Sequence, residues 1–383
     1  MQSALIKYLL PVVLVLTTCN NFPGGKERSG PIEAGSESKY AQRFRIDKKN
    51  GYSVLTIINP WQGAAGVSHT YYLVKRGDKI PSGIDPSAIL YVPVRKIVCM
   101  STTYLAMITS LGEEKSLKGI SGTDLIYNES LREKVKVGEI ADVGYEDNLN
   151  KELLIQIDPE LIMVYGVGSE AAGYLNKIRE LGFRTLFNAD YLETDPLGKA
   201  EWIKVFGALF CKEKQADELF FSISKEYDSL KSLISEKSLK RPSVLLGLPW
   251  KDTWFISPGN SFASTLISDA GGNYLWKDTR SDISMPFGIE YVYMKALDVD
   301  FWLNIGTVQT AGEIKAVDMR LGDLPPFVTG KMYNNNNRIN NFGGNDYWES
   351  GVINPQIILK DLGAILHPEL FPGYQLYYYK KIN

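Results

Sequence analysis

The chain has 383 residues, with 42 basic against 44 acidic residues and a formal net charge of −2. This length is enough for two domains with complete cores, and the balanced charge gives no electrostatic basis for binding nucleic acid. With only 2 His and 3 Cys, the composition argues against a metal site built on several imidazoles and against a disulfide framework. The 22 Tyr and 7 Trp suit stacking on a flat ligand, although aromatic residues are also common core material.

The first nineteen residues are expected to be a signal rather than part of the fold. Lys7 precedes an apolar run at residues 8–16, which is too short to span a membrane. The run leads into Leu16-Thr17-Thr18-Cys19, which resembles a bacterial lipobox and so implies lipidation of Cys19. The alternative is an uncleaved hydrophobic anchor. Residues 20–39 are expected to form a flexible tether, which places the mature protein in the periplasm, held to a membrane by its lipid.

Residues 40–94 are predicted to be a strand-rich N-terminal extension. The segments 44–46 and 52–58 flank a turn at Lys49-Asn50-Gly51, a pattern typical of a β-hairpin. Residues 69–75 are a further strand candidate.

Residues 95–210 are predicted to form an N-terminal α/β lobe. Strand patterns alternate with helix patterns along this segment, which indicates a mainly parallel sheet. The strands are expected at 96–100, 161–165 and 184–187, and the helices at about 101–111, 148–155 and 174–181.

A long amphipathic helix is predicted over residues 212–237, within a linking segment assigned to residues 211–239. Its apolar positions recur at spacings of three and four, and they are Ala216, Leu219, Phe220, Ile223, Tyr227, Leu230 and Ile234. Such a helix would extend for roughly 39 Å, which is long enough to connect two lobes. Packing on a single sheet is the alternative. Pro242 ends the helix before the next strand begins.

Residues 240–383 are predicted to form a second α/β lobe, since the same plan returns after the long helix. Strands are expected at 243–248 and 301–305, and helices at 260–270 and 289–297. The Asn-rich residues 334–341 are expected to be a surface loop.

Five segments, taken in their order along the chain, carry a resemblance to a known family. They are the opening strand at 96–101 with the capped helix after it, the Glu-headed helix and following strand at 148–162, the helix ending in Gly-Gly-Asn at 259–273, the second Glu-headed helix at 289–292, and the loop of two aromatic residues between acids at 345–349 with the closing helix from 355–359. Over about residues 93–370 the chain resembles the ABC-importer substrate-binding proteins that serve vitamin B12, iron–siderophores and haem.

The resemblance implies an α/β fold of two lobes with mainly parallel sheets, joined by one long α-helix, with the strand-rich extension outside the family pattern. It implies a metal-chelate ligand, either a cobalamin, an iron–siderophore or haem, which is bound between the lobes and delivered to ABC permease and ATPase subunits. It implies a binder without catalytic activity and without a cofactor other than the ligand. The ligand-facing residues that it suggests are aromatic: Tyr145, Tyr165, Trp254, Phe255, Tyr347 and Trp348.

Two glutamates match the docking residues of that family. Glu152 and Glu290 each head a helix, where a carboxylate also stabilises the helix dipole by about 0.3–1 kcal/mol without any partner. In the family, the matching glutamates stand on the lobe tips and pair with arginines of the permease, which sets the orientation of docking.

Two other classes of function are compatible with the sequence. Gly259-Asn260-Ser261-Phe262-Ala263 is close to the nucleophile elbow of α/β hydrolases, and His367 follows it in the order that such a triad requires. The first alternative is therefore a serine hydrolase that uses Ser261 and His367. The second is a structural lipoprotein with a vestigial cleft.

Overall fold

The computed structural model describes residues 38–145, 148–166, 178, 180–238 and 240–383. Cys19, the signal peptide and nearly all of the tether lie outside the described residues, as does most of the helix expected over 174–181. Among the described residues, no helix is both long and apolar enough to cross a membrane.

The N-terminal extension is a small sheet, as the sequence predicts. Its described strands are β1 (Phe44–Lys49), β2 (Tyr52–Ile58), β3 (Ser68–Lys75) and β4 (Ile89–Val92), paired in that order. The first three strands are antiparallel, and β4 runs parallel to β3. Gly51 stands at the turn between β1 and β2 with a φ of 84°, a left-handed conformation that glycine adopts without steric cost.

The N-terminal lobe is built on a parallel sheet, which confirms the prediction. Its described strands are β5 (Ile97–Cys99), β6 (Leu117–Ile120), β7 (Ala141–Asp142), β8 (Leu161–Val164) and β9 (Thr185–Phe187), arranged in the order β7-β6-β5-β8-β9. Its described helices are α1 (Leu105–Ser110), α2 (Glu129–Lys136), α3 (Lys151–Ile157), α4 (Pro196–Glu201) and α5 (Ile203–Phe210). Strands β5, β8 and β9 are buried along their whole length, as parallel strands covered on both faces must be.

The long helix α6 (Glu213–Lys237) has 25 residues and joins the two lobes. Its first half packs on α5, where a Cβ at Gly207 would lie 2.6 Å from the Cβ of Ala216, so that glycine is required for this close approach. Its second half reaches the C-terminal lobe, where the Tyr227 hydroxyl donates a hydrogen bond to Asp269 (2.7 Å). The helix therefore bridges the lobes and does not pack on a single sheet.

The C-terminal lobe repeats the parallel plan. Its main described strands are β10 (Ser243–Leu246), β12 (Asn273–Tyr274), β14 (Phe301–Leu303), β15 (Met332–Asn334) and β16 (Lys380–Lys381), in the order β12-β10-β14-β15-β16, with β16 antiparallel to β15. A separate antiparallel ribbon pairs β11 (Thr253–Ile256) with β13 (Met285–Gly288). The described helices are α7 (Phe262–Asp269), α8 (Ile289–Lys295), α9 (Ala311–Val317), α10 (Pro325–Val328), α11 (Asp346–Glu349) and α12 (Pro355–Leu366).

The first three residues of the Asn-rich segment, 334–336, are buried, contrary to the expectation of a surface loop. Asn334 is fully buried, and its side-chain amide donates hydrogen bonds to the carbonyl oxygens of Gly306 and Val308, both at 3.0 Å. Asn336 is also buried and donates to the Val308 carbonyl at 3.0 Å. Amide side chains satisfy backbone groups that no neighbouring strand pairs. Residues 334–336 are therefore internal and support the loops at the carboxyl end of β15.

Two buried glutamates of the N-terminal lobe bind the beginning of the extension. Glu201 is fully buried, accepts hydrogen bonds from the backbone amides of residues 39–41 and pairs with Lys204 at 2.9 Å. Glu193 is also buried and accepts from the amides of residues 42–43 at distances of 2.9 to 3.1 Å. Residue 39, the last residue of the expected tether, is thus bound to the lobe.

A second connection joins the lobes, and we call it the interlobe latch. It consists of residues 338–349 of the C-terminal lobe and residues 124–128 of the N-terminal lobe. The buried carboxylate of Glu349 accepts hydrogen bonds from the amides of Tyr127 (2.7 Å) and Asn128 (3.0 Å). These bonds cap the chain just before α2 with a side chain from the opposite lobe.

Further contacts within the interlobe latch bring the backbones of the two lobes together. The Asn340 side-chain amide donates to the carbonyl oxygens of Asp124 and Ile126, both at 2.9 Å. A Cβ at Gly344 would lie only 2.3 Å from the Leu125 carbonyl oxygen, so glycine is needed for this approach. The latch therefore adds a connection between the lobes that is separate from α6.

Replacing Glu201 with Ala should lower the free energy of unfolding by about 2–5 kcal/mol, because several buried amides and the Lys204 ammonium would lose their acceptor. Urea denaturation of the soluble chain measures this loss. Glu218→Ala is the matched control, since the Glu218 side chain is 68% exposed, and it should change the free energy by no more than about 0.5 kcal/mol. Equal, small losses in both variants would contradict the structural role given to Glu201.

The stability of the protein should depend on pH through Glu349. Burial, reinforced by the Asp346 carboxylate and opposed by the amides of the latch, raises the pKa of Glu349 to about 7 from an ordinary value of 4.5. Since the folded protein binds this proton more tightly, the contribution of Glu349 is complete below pH 4.5 and is lost as the pH rises through 7.

Relative to Glu349→Gln, the wild-type protein should therefore lose about 3 kcal/mol of unfolding free energy between pH 4.5 and pH 8. Chemical denaturation at a series of pH values measures the difference. Glu129→Gln, at an exposed position in the first turn of α2, is the control and should follow the wild-type pH profile. A pH-independent difference between wild type and Glu349→Gln would show that Glu349 does not titrate in this range.

Candidate functional site

The candidate site lies where the two lobes face each other at the carboxyl ends of their parallel strands. Helix α11 of the C-terminal lobe packs against Thr102–Tyr104, directly beyond β5 of the N-terminal lobe. Loops at the carboxyl ends of parallel strands are where α/β proteins bind ligands. We call the facing surfaces at these strand ends the cleft.

The N-terminal lobe presents two stacked tyrosines. Tyr145 follows β7 and Tyr165 follows β8, and their ring centroids lie 6.3 Å apart with an angle of 17° between the ring planes. The Tyr145 side chain is 41% exposed. The structure therefore brings together two of the aromatic residues that the sequence singles out.

The loop that carries Tyr145 is held by a carboxylate and by a glycine. Asp142 accepts hydrogen bonds from the amides of Thr123 (3.0 Å) and Gly144 (2.9 Å). Partial burial acts to raise the pKa of Asp142, but these hydrogen bonds outweigh it and hold that pKa below its ordinary value. Gly144 has a φ of 72°, and a Cβ there would lie 2.1 Å from the Asn148 carbonyl oxygen, so any other residue would displace the loop.

Strand β11 exposes Phe255 and buries Trp254. The prediction that Trp254 faces the ligand is therefore wrong. Trp254 is fully buried, its Nε1 donates to the Leu246 carbonyl (3.0 Å), and its ring packs on Trp302 at 5.8 Å. Phe255 is 51% exposed. Successive side chains of a strand point to opposite faces, which explains why these neighbours cannot share one surface.

Helix α11 likewise buries one of its two aromatic residues, Tyr347, and exposes the other, Trp348. The prediction that Tyr347 faces the ligand is therefore also wrong. Tyr347 is 3% exposed because the edges of its ring meet Tyr378 and Tyr379, each at 5.9 Å between centroids. Those two residues are fixed by Asp361, which accepts their backbone amides at 2.7 and 3.0 Å. Trp348 is 49% exposed and remains a surface aromatic of the cleft side of the lobe.

Two tryptophans that the sequence analysis did not single out lie close to these residues in the chain or in space. Trp61 of the extension forms a β-bridge with Gly166, the residue after Tyr165. Trp250 is 65% exposed in the turn between β10 and β11, with Lys251 Nζ 4.5 Å from its ring centre. The sequence could have indicated Trp250, because this residue follows a predicted strand of the C-terminal lobe. No sequence signal could have indicated Trp61, because its position depends on how the extension packs against the lobe.

The two glutamates expected to dock a partner differ in their surroundings. Both stand in the first turn of short helices, Glu152 on α3 and Glu290 on α8. Glu290 pairs with Arg320 at 3.3 Å, and Arg320 also pairs with Asp318 at 2.6 Å. Within the described ranges, Glu152 makes no ion pair. The N-terminal lobe therefore offers an unpaired exposed carboxylate, and the C-terminal lobe offers a partly neutralised one.

The geometry contradicts the serine hydrolase alternative. Ser261 caps α7, with its Oγ accepting the Ser264 amide at 3.3 Å. His367 is buried at the opposite end of α7, where its Nε2 lies 3.3 Å from the Gly271 carbonyl oxygen. A helix of eight residues separates the two side chains by roughly 12 Å. A nucleophile and its base need direct hydrogen-bond contact, so these residues do not form a triad.

No group of three or more His, Cys, Asp or Glu side chains is placed to hold a metal ion in the part of the chain that the structure describes. Asp346, in the loop of acids and aromatics, pairs with Arg338 at 2.6 Å.

Comparisons with known proteins agree with this architecture. The family model for periplasmic binding proteins matches residues 97–317. An uncharacterised lipoprotein of Methanocaldococcus jannaschii is 28% identical over 369 residues, covering 90% of this chain and 85% of the relative.

Two solved structures show the same fold at low sequence identity. A periplasmic haem-binding protein from Pseudomonas aeruginosa has a TM-score of 0.58 at 15% identity, covering 76% of this chain and 98% of that one. An ABC transporter substrate-binding protein from Listeria monocytogenes has a TM-score of 0.53 at 17% identity, covering 72% of this chain and 99% of that one. Together with the two-lobed architecture and its single long linking helix, these matches lead to one conclusion: the chain belongs to the periplasmic binding protein family.

Proposed function

We propose that this protein is the extracytoplasmic substrate-binding lipoprotein of an ABC importer, and that it captures a metal chelate between its lobes and delivers it to the permease. The observation that carries the proposal is that both lobes present aromatic side chains, namely exposed Tyr145 stacked on half-buried Tyr165 in one lobe, and exposed Phe255 and Trp348 in the other. Membership of the binding-protein family supports the role of binder. The fold shared with a haem-binding protein supports the class of cargo.

The cargo in this proposal is a cobalamin, an iron–siderophore or haem. These chelates are large and present flat or apolar faces, which aromatic side chains bind by stacking with about 0.5–1.5 kcal/mol per pair beyond the buried area. The protein itself supplies no metal ligands in the proposal, because the metal arrives already chelated. The chain is thus a binder and not an enzyme.

Docking on the permease is assigned to Glu152 and Glu290, which would pair with arginines on the transporter. Each stands in the first turn of a helix, exposed to solvent, on a different lobe. Two carboxylates on separate lobes fix the orientation of a partner better than one, because charge pairs at an interface set register. The permease works together with ATPase subunits.

The membrane anchor in this proposal is a lipid on Cys19, with the protein on the periplasmic side. Support comes from the lipobox-like sequence and from the relative that is itself named a lipoprotein. The tether of about 20 residues between Cys19 and the first bound residue would have a root-mean-square span of roughly 25 Å. That span lets the binder move about its anchor while it stays near the transporter.

Ligand-free wild-type protein should bind one of the three classes, cobalamin, haem or ferric siderophore, with sub-micromolar affinity, detected by quenching of Trp fluorescence. Replacing Tyr165 and Trp348 together with Ala should weaken that binding by about 5-fold to 100-fold, because two stacking faces are lost. Isothermal titration calorimetry measures the variants, since the Trp348 substitution removes a fluorescent reporter.

Phe221→Ala is the matched control for this experiment. Phe221 is 67% exposed on α6, outside the cleft, and its loss should leave the affinity unchanged. Absence of binding by all three classes would contradict the proposed cargo. An equal loss of affinity in the control would show that the cleft residues act through stability and not through contact.

Reversing both docking charges, Glu152→Lys with Glu290→Lys, should abolish stimulation of the importer's ATPase in proteoliposomes while ligand affinity stays within about twofold. Like charges juxtaposed at an interface cost several kcal/mol. The single Glu152→Lys variant should have the larger effect, because Glu290 is already paired with Arg320.

Glu218→Lys on α6 is the control for charge reversal and should stimulate the ATPase as the wild type does. If the double variant loses ligand binding but still stimulates the ATPase, the two glutamates belong to the ligand site and not to the docking surface.

A further inference from the structure

The extension contributes a loop, residues 59–67, that lies at the cleft, and we call it the end loop. Its Trp61 forms a β-bridge with Gly166, directly beyond Tyr165 and the carboxyl end of β8. A Cβ at Gly166 would lie 2.9 Å from the Trp61 Cβ, so the two backbones are in close contact. The Tyr191 hydroxyl also donates to the Gly166 carbonyl oxygen. The end loop is thus fixed to the cleft side of the N-terminal lobe.

The end loop has a defined shape of its own. The Asn59 amide donates to the Val67 carbonyl oxygen (2.8 Å), and the Val67 amide donates to Asn59 Oδ1 (3.0 Å), which closes the base of the loop. Within the loop, the Ala64 amide donates to the Trp61 carbonyl oxygen at 3.0 Å. Compact loops of this kind, with their ends close together, are often functional. The backbone of Gln62, next to Trp61, is therefore fixed by the loop and by its bridge.

The Gln62 side chain reaches the C-terminal lobe. Its Nε2 donates a hydrogen bond to the Asp282 carbonyl oxygen at 2.9 Å. Asp282 belongs to the segment that leaves the carboxyl end of β12 and leads to β13. That segment is braced against the residues before α7, since the Ser281 amide donates to Asn260 Oδ1 at 3.1 Å. The extension therefore contacts both lobes.

The end loop and the interlobe latch lie at opposite ends of the cleft. In the N-terminal sheet, the latch residues 124–128 follow β6 and Gly166 follows β8, and these two strands flank β5 on opposite sides. In the C-terminal sheet, the latch residues 338–349 follow β15, whereas Asp282 follows β12 at the other edge. Because the carboxyl ends of the parallel strands line the cleft, contacts on opposite sides of both sheets bound the cleft at its two ends.

The two ends are held with unequal strength. The latch buries the Glu349 carboxylate against two amides and adds the hydrogen bonds from Asn340 to two carbonyl oxygens. The end loop meets the other lobe through the neutral hydrogen bond of Gln62, between solvent-exposed groups. Charge-assisted hydrogen bonds are about twice as strong as neutral ones, and water competes for exposed groups. The end of the cleft at the end loop therefore opens more readily than the end at the latch.

We propose that the end loop forms the wall of the cleft at which the cargo enters and leaves, and that the hydrogen bond from Gln62 to Asp282 retains the bound cargo. Gln62 is a positioning residue in this role, because it holds the two lobes together and does not need to touch the chelate. The inference rests on the proposed function. It gives the extension, which lies outside the residues 97–317 that match the family model, a part in ligand binding.

Gln62→Glu tests the hydrogen bond directly, because glutamate has the same size and an ionised carboxylate has no hydrogen to donate. For the chelate class that wild type binds, the dissociation rate constant should rise by about 3-fold to 10-fold, measured by stopped-flow Trp fluorescence. The association rate constant should stay within about twofold of wild type. Gln62→Lys restores a donor and should return the dissociation rate constant to within about twofold of wild type. Thermal melting should give equal midpoints for all three proteins, since the substituted groups are exposed.

Asn340→Asp is the matched control at the latch end, since it also exchanges an amide for a carboxylate and removes an interlobe donor. Its dissociation rate constant should stay within about twofold of wild type, because the Glu349 hydrogen bonds still hold that end. Lys79→Ala is the control within the extension and should leave both rate constants unchanged. Lys79 is exposed in the turn after β3. The neighbouring Arg76 pairs at 2.6 Å with Glu160, just before β8 and so at the amino end of the sheet, away from the cleft.

Each failure has a separate meaning. An unchanged dissociation rate constant in Gln62→Glu overturns this inference and leaves the proposed function standing. An equal rise in Asn340→Asp also overturns it, since release is then not specific to the end loop. A rise in Gln62→Glu that Gln62→Lys does not reverse overturns it as well, because the donor is then not what retains the cargo. If wild type binds no chelate of any class, the proposed function fails and this inference fails with it.

Discussion

The arrangement of the lobes depends on one kind of interaction, the hydrogen bond from consecutive backbone amides to a buried carboxylate. Glu201 holds the start of the extension, Glu349 joins the two lobes, and Asp361 fixes the C-terminal segment. A carboxylate is expensive to remove from water, and several charge-assisted hydrogen bonds in a dry site offset that cost. Each acid therefore specifies one local arrangement of its segment, since any other leaves a buried charge without its donors.

This interaction decides which aromatic residues reach the cleft. Asp361 accepts the amides of Tyr378 and Tyr379, whose rings then enclose Tyr347 and leave Trp348 facing outward. The lobes themselves are connected by α6 and by the interlobe latch. A helix has few soft dihedrals about which to hinge, and the latch adds backbone-level contacts, so opening and closing should be small. A cargo therefore binds with little rearrangement of the lobes. A preformed site of this kind favours high affinity for one ligand over binding of ligands with different shapes.

Most buried polar side chains of the described residues have hydrogen-bond partners. Lys204 and Asn334 show how completely the interior pairs its donors. Asp190 Oδ2 departs from that rule, since it is buried without a hydrogen-bond partner among the described residues. Unsatisfied buried groups are rare in native proteins and concentrate at functional or strained sites.

The sequence by itself determined the two-lobed α/β plan, the strand-rich extension and the bridging helix. Hydrophobic periodicity, Pro and Gly positions and the order of the motifs are local signals, and they report local structure directly. It also selected the aromatic pairs at positions 254–255 and 347–348, but only the tertiary structure decided which member of each pair is exposed. That choice depends on residues far away in the chain, namely Trp302 for Trp254 and Tyr378 with Tyr379 for Tyr347. The buried Asn residues, the interlobe latch and the pairing of Glu290 with Arg320 likewise depend on partners from other segments. Contacts between distant segments leave no periodic trace in either segment, so only the folded chain reveals them.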